Sequence, residues 1–227
     1  MRSTITVTAM SRRKRLATAI GVGYLLGTFP TADLVARRAA GGSIDLRSAG
    51  SGNPGTANAL NVLGKRAAAE VLVGDMGKGV VACAVGAVVA DPVGAHLAGT
   101  SSVVGHCYPV WTRFRGGKGV ATSVGQCLAT FPAYFPIDVA VAVVTVANPR
   151  WKQRAFAATV ASSACWVVGG VVWWARGLRN LWGPRPSLLL PLASAMSSAV
   201  IIQRFIAEGP PRADAPDPSQ ADPSATL

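Results

Sequence analysis

Four stretches of this chain carry no charge over lengths close to the thickness of a bilayer, and that decides most of what it can fold into. No Asp, Glu, Lys or Arg occurs in 92–112, 119–137, 155–175 or 186–203. A membrane-spanning helix needs about 20 mostly apolar residues, and each of these stretches meets or approaches that length. Only 14% of the 227 residues are charged, whereas a soluble domain carries about a quarter. A soluble globule, a disordered chain and a secreted disulfide scaffold are excluded. The expected fold is all-α: a polytopic membrane helical bundle of about seven transmembrane helices.

The spans are expected near 16–35, 67–90, 92–110, 119–131, 133–147, 155–175 and 187–206. The fourth and fifth are short and interrupted by Pro132 and Pro136, so one long bent segment, giving six spans, is the competing reading. Asp91-Pro92 is a turn signal that makes a hairpin of the second and third. Residues 1–15 form a basic N-terminal segment and 16–208 the membrane domain. After Gly209, prolines at 210, 211, 216, 218 and 223 predict a disordered tail over 209–227.

Lys and Arg in short loops set orientation. Arg37, Arg38, Arg47, Lys65 and Arg66 fall in one loop, Arg113, Arg115 and Lys118 in a second, and Arg150, Lys152 and Arg154 in a third. The Asp91 and Pro132–Pro136 turns carry none. This alternation places the three basic loops in the cytoplasm and the N-terminus outside. Two features oppose it: Arg12, Arg13, Lys14 and Arg15 before the first span, and Arg176, Arg179 and Arg185 before the last. The net charge of +12 is read as topology and lipid-headgroup charge, with no nucleic acid as a partner. Cys83, Cys107, Cys127 and Cys165 form no CxxC pair and read as small membrane-core residues, with no metal site.

Three elements carry chemistry. The first is Gly50-Ser51-Gly52-Asn53-Pro54-Gly55 with Thr56 and Asn58. Glycine backbone can converge its N–H groups on an anion, though the same residues are those of ordinary turns. The second, Asp75-Met76-Gly77-Lys78-Gly79, sets an acid and a base on one helix face. It reads either as a snorkelling helix end or as a polar site facing the bundle interior. The third runs from Gly105-His106 through Arg113, Arg115, Gly116, Gly117 and Lys118 to Gly119. There a Gly-rich, basic segment opens an uncharged helix, an anion site in type. It is not a Walker A loop, because Gly119 stands where Ser or Thr is required. His106 by itself reads equally as a packed histidine.

In this order the three elements resemble the bacterial membrane-bound acyl-phosphate:glycerol-3-phosphate acyltransferases, the PlsY family, over about 21–122. Gly23-Tyr24-Leu25-Leu26 and Ile44-Asp45-Leu46-Arg47 add to the likeness. The resemblance implies transfer of a fatty acyl group from acyl phosphate to the sn-1 hydroxyl of glycerol 3-phosphate in the inner membrane, with lysophosphatidic acid and phosphate as products. It implies no cofactor and no metal, and membrane lipids as surroundings. Ser51 and His106 are the implied catalytic residues; Asn53, Asn58, Asp75, Lys78, Gly116, Gly117, Lys118 and Gly119 are implied to bind substrate. An acyl phosphate is already activated, so alignment and charge neutralisation matter more than a strong base. Two positions depart from the family. Asn61 stands where its first motif carries Arg, with Lys65 or Arg66 as candidate substitutes. The stretch from Ser198 to Arg204 lacks the His and Asn of its third motif, and Glu208 is a candidate for that motif's Glu. A catalytically degenerate paralogue that binds phosphate or phospholipid headgroups is therefore the alternative, and a small organic-phosphate transporter a third reading. Oligomeric state is not legible.

Overall fold

The computed structural model describes residues 10–151 and 153–209. The tail beyond Gly209 and the first nine positions of the basic segment lie outside the described residues. Those described form helices and no strands.

α1 (Arg12–Gly27) starts at Ser11, whose hydroxyl accepts from Lys14 N. The single span expected through Val35 is broken. Pro30 has no N–H, and its ring clashes with a preceding helical turn, so the chain bends over Thr28–Pro30 and restarts as α2 (Thr31–Ala40). α2 buries Thr31, Ala32, Val35 and Ala36 and ends at Gly41 with φ +58°.

A loop then leads to the short α3 (Thr56–Leu63) and to α4 (Lys65–Cys107). α4 is two antiparallel arms, 65–89 and 92–107. Ala90 (φ −144°, ψ 37°) and Asp91 (φ 56°, ψ −159°) leave the helical region ahead of Pro92, so the hairpin falls where the sequence puts it. Arg15 ties the start of α1 to this turn through Val89 O (2.6 Å) and Asp91 (2.9 Å). α1 runs beside the returning arm at backbone contact. A Cβ on Gly23 would strike the Ala98 backbone, and one on Gly27 the Ser102 backbone. Small residues let membrane helices approach this closely.

After a 3₁₀ turn (Val110–Thr112) come α5 (Val120–Thr130), α6 (Phe135–Ala147), α7 (Arg154–Arg176) and α8 (Leu189–Glu208). α5 and α6 are short and separate, as expected for seven helices. Segments Arg12–Ala40, Lys65–Thr112, Arg154–Arg176 and Leu189–Glu208 are long and apolar enough to cross a membrane. The bundle centre is polar: Gln126 of α5 donates to Thr100 (3.2 Å) and accepts from Ser197 of α8 (2.8 Å). Cys83, Cys107 and Cys127 are buried as read; Cys165 is exposed.

The arms of α4 define two ends. At one lie the Asp91 turn and the start of α1, and Asn180 bonds Thr130 O (2.9 Å) to close the other connections there. At the opposite end lie the 41–55 loop, the 108–119 segment and the terminus of α8.

Candidate active site

The 41–55 loop is the first wall, and Asn58 shapes it. Its side-chain Oδ1 accepts from Ser51 N at 2.9 Å, and its Nδ2 donates to Leu46 O (2.9 Å) and Ala49 O (3.0 Å). The residue is 1% exposed, and both ends of its amide are committed to loop backbone. Asn58, expected to bind substrate, does not line the cavity, and its amide holds Ser51 N, Leu46 O and Ala49 O. Ser51 is exposed and lines a cavity of about 300 Å³. Asn53 does not line it; its Oδ1 is buried without a hydrogen-bond partner.

The second wall folds back on the end of α4. Gly116 N donates to Cys107 O and Gly117 N to His106 O, both at 3.2 Å. Arg113 and Phe114 take positive φ (53° and 62°) to make this reversal. Gly117 sits where the two walls touch. A Cβ there would run into the His106 imidazole and lie 3.1 Å from Pro54 O, so only glycine fits. Gly119 caps α5 and does not line the cavity.

The third wall is the end of α8. Arg204 donates to Gly116 O (2.9 Å), Gly117 O (3.3 Å) and Glu208 Oε1 (2.7 Å), latching the glycine turn to the last helix. Lys118 Nζ lies 3.3 Å from Glu208 Oε2 and 4.4 Å over the Phe205 ring. Arg47 grips the Asp33 carboxylate with both terminal nitrogens and donates Nε to Arg115 O at 3.0 Å. Arg47, Arg115, Lys118 and Arg204 thus face one cavity with Ser51 and Glu208.

Asp75, Lys78 and His106 are brought together one layer behind. They are 2%, 8% and 8% exposed. Lys78 Nζ lies 2.9 Å from Asp75 Oδ1 and donates to Phe29 O (3.2 Å); His106 Nδ1 lies 3.6 Å from the same carboxylate oxygen. They line a recess of about 30 Å³, which adjoins the cavity through Arg47, Pro54 and Gly116. That space suits a water rather than a phosphate. Of the three, His106 touches the glycine turn, its carbonyl accepting from Gly117 N.

Of the expected residues, Ser51, Gly116 and Lys118 line the cavity, and Gly117 the recess behind it. Lys65 and Arg66 do not stand in for the Arg missing at Asn61: neither lines the cavity, and Arg66 pairs with Glu70 at 3.4 Å. Arg47, Arg115 and Arg204 do line it. Arg204 had one sequence signal, as the first charge after 186–203. It sits at the helix end that returns to the glycine loops.

Residues 17–208 match the family model described as glycerol-3-phosphate acyltransferase. A glycerol-3-phosphate acyltransferase of Exiguobacterium sibiricum is 52% identical over 114 residues, which is 50% of this chain and 54% of that one. One of Geobacillus kaustophilus is 45% identical over 130 residues, 57% of this chain and 65% of that one. The chain thus spans about half to two thirds of the length of these relatives. The fold is similar to the crystal structure of PlsY (YgiH), an integral membrane glycerol 3-phosphate acyltransferase, in its glycerol 3-phosphate form. The TM-score is 0.67 at 26% identity, covering 83% of this chain and 87% of that one.

Proposed function

The chain belongs to the glycerol-3-phosphate acyltransferase family, and on that premise we propose that its cavity transfers a fatty acyl group from acyl phosphate to the sn-1 hydroxyl of glycerol 3-phosphate. The ester C–O bond forms as the acyl–phosphate C–O bond breaks. The hydroxyl proton ends on the released phosphate, and lysophosphatidic acid is the second product. The observation that carries this reading is the lining: four cations and one serine hydroxyl at one end of a membrane bundle.

Both reactants bring phosphate charge to the same small volume. Lys118, Arg115 and Arg204 would neutralise it, Arg47 being already paired with Asp33, and alignment of two bound reactants removes much of the entropic barrier. Ser51, which lines the cavity, would donate its hydroxyl to the oxyanion that develops on the acyl carbonyl oxygen. His106, Asp75 and Lys78, which line the adjoining recess, would take part in holding the substrate, His106 with a catalytic role. Neither metal nor cofactor enters the scheme. The cavity end would face the cytoplasm from the inner membrane, as its basic loops favour.

Purified protein in detergent, given acyl phosphate and glycerol 3-phosphate, should release lysophosphatidic acid and phosphate in equal amounts. The missing third-motif His and Asn favour a second reading, a non-catalytic phosphate-binding member. Well-folded protein that binds glycerol 3-phosphate without turnover would select it.

A further inference from the structure

Glu208 is an odd residue for a site built to hold phosphate. It is the last residue of α8, where the helix dipole already disfavours negative charge. Among the described residues it is the only carboxylate in a lining otherwise charged by Arg47, Arg115, Lys118 and Arg204. A carboxylate there works against phosphate, so its presence calls for a task that a carboxylate does better than a neutral group.

The geometry defines that task. Oε1 accepts from Arg204 at 2.7 Å, and Oε2 lies 3.3 Å from Lys118 Nζ. The group is fixed from both sides, and the side chain remains 25% exposed. An ionised carboxylate has about four acceptor positions, and the two cations occupy two. Guanidinium and ammonium groups only donate, so Glu208 is the one acceptor-only side chain that this lining turns to a ligand. A hydroxyl that enters beside the phosphate meets it.

We propose that Glu208 is the specificity-determining residue for the acceptor. Its carboxylate accepts hydrogen bonds from the hydroxyls of a phosphorylated polyol while Lys118, beside it, takes the phosphate. This rests on the reading of the cavity as the acceptor site. The recognised class is a small molecule carrying a phosphate and hydroxyls a few ångströms apart; an alkyl phosphate without hydroxyls leaves Glu208 unsatisfied and is discriminated against.

The test is equilibrium binding to detergent-purified protein, with glycerol 3-phosphate and n-propyl phosphate as probes. Wild type should prefer glycerol 3-phosphate by about tenfold or more, as a hydrogen bond to a charged group requires. Glu208→Gln should erase the preference while binding propyl phosphate at least as tightly as wild type, since a repelling charge is gone. Retention of propyl phosphate also reports that the variant is folded. Equal tightening for both probes would make Glu208 a mere competing anion; equal weakening would make it structural. Either overturns the proposal, as does a preference that persists in Glu208→Gln. Lys118→Ala separates the levels. It should weaken both probes about tenfold or more, and if it changes neither, the cavity is not the phosphate site and the functional reading falls with the proposal.

Discussion

Lys118 is held by a carboxylate and an aromatic face, so its ammonium is steered into the cavity without help from its own loop. Lys118→Ala should raise KM for the phosphate substrates about ten- to a hundredfold, the worth of a charge-assisted contact. Lys118→Arg should recover part of that, because the guanidinium fork differs in shape from an ammonium. Steady-state kinetics with each substrate varied would check both. Ser51 has a different signature. On the proposed mechanism its hydroxyl serves charge that develops only during reaction, so Ser51→Ala should lower kcat by about a hundredfold or more and leave KM for glycerol 3-phosphate in place. An unchanged kcat would remove Ser51 from the chemistry. Asn58→Ala should act on stability instead. It strands one buried donor and two acceptors of the loop backbone, a loss of about 3 kcal/mol. Thermal unfolding in detergent should show the lower midpoint, with substrate protecting the variant.

At the scale of elements, close approach organises the bundle. Gly27→Leu would force α1 off the returning arm of α4 at Ser102, and overpacking of this kind costs about 1–3 kcal/mol. A lower unfolding temperature is expected, and an unchanged one would mean that the contact is looser than described. Much of this layer was legible. Charge-free runs located the returning arm of α4, α5, α7 and α8, and Asp91-Pro92 the hairpin, because both signals are local; α2 and α3 as separate helices were not foreseen. The break at Thr28–Pro30 was passed over because apolar residues continue on both sides of it, although Pro30 was in plain view. Site legibility divides on the same line. Gly116-Gly117-Lys118 announce an anion site by themselves. Arg204 and Glu208 do not, because their role depends on where the end of α8 returns in space. The burial of Asn58 against its own loop is equally hidden, because a buried loop clamp and an exposed ligand contact look alike in sequence.

Charge is distributed over the molecule in two groups. Arg37, Arg38, Arg113 and Arg115 belong to the cavity end, and Arg12–Arg15 and Arg176 to the other. The loops at the cavity end should prevail in setting topology. A cysteine placed at exposed position 113, with Cys165→Ser to remove the exposed native thiol, should react with a membrane-impermeant reagent only after the membrane is opened. Labelling of intact cells would invert the orientation. The hairpin of α4 adds a mechanical link between the two ends. Asp75 and His106 meet because they stand equally far from one turn, along 75–89 and 92–106, so that turn is the pin of a calliper whose jaws sit behind the cavity. Deleting one residue at the pin would advance the returning arm by about 1.5 Å and rotate it by about 100°, and His106 would swing off Asp75. A lesion at the face of the membrane farthest from the chemistry would then open the jaws beneath Gly117, although no residue of the site had been touched.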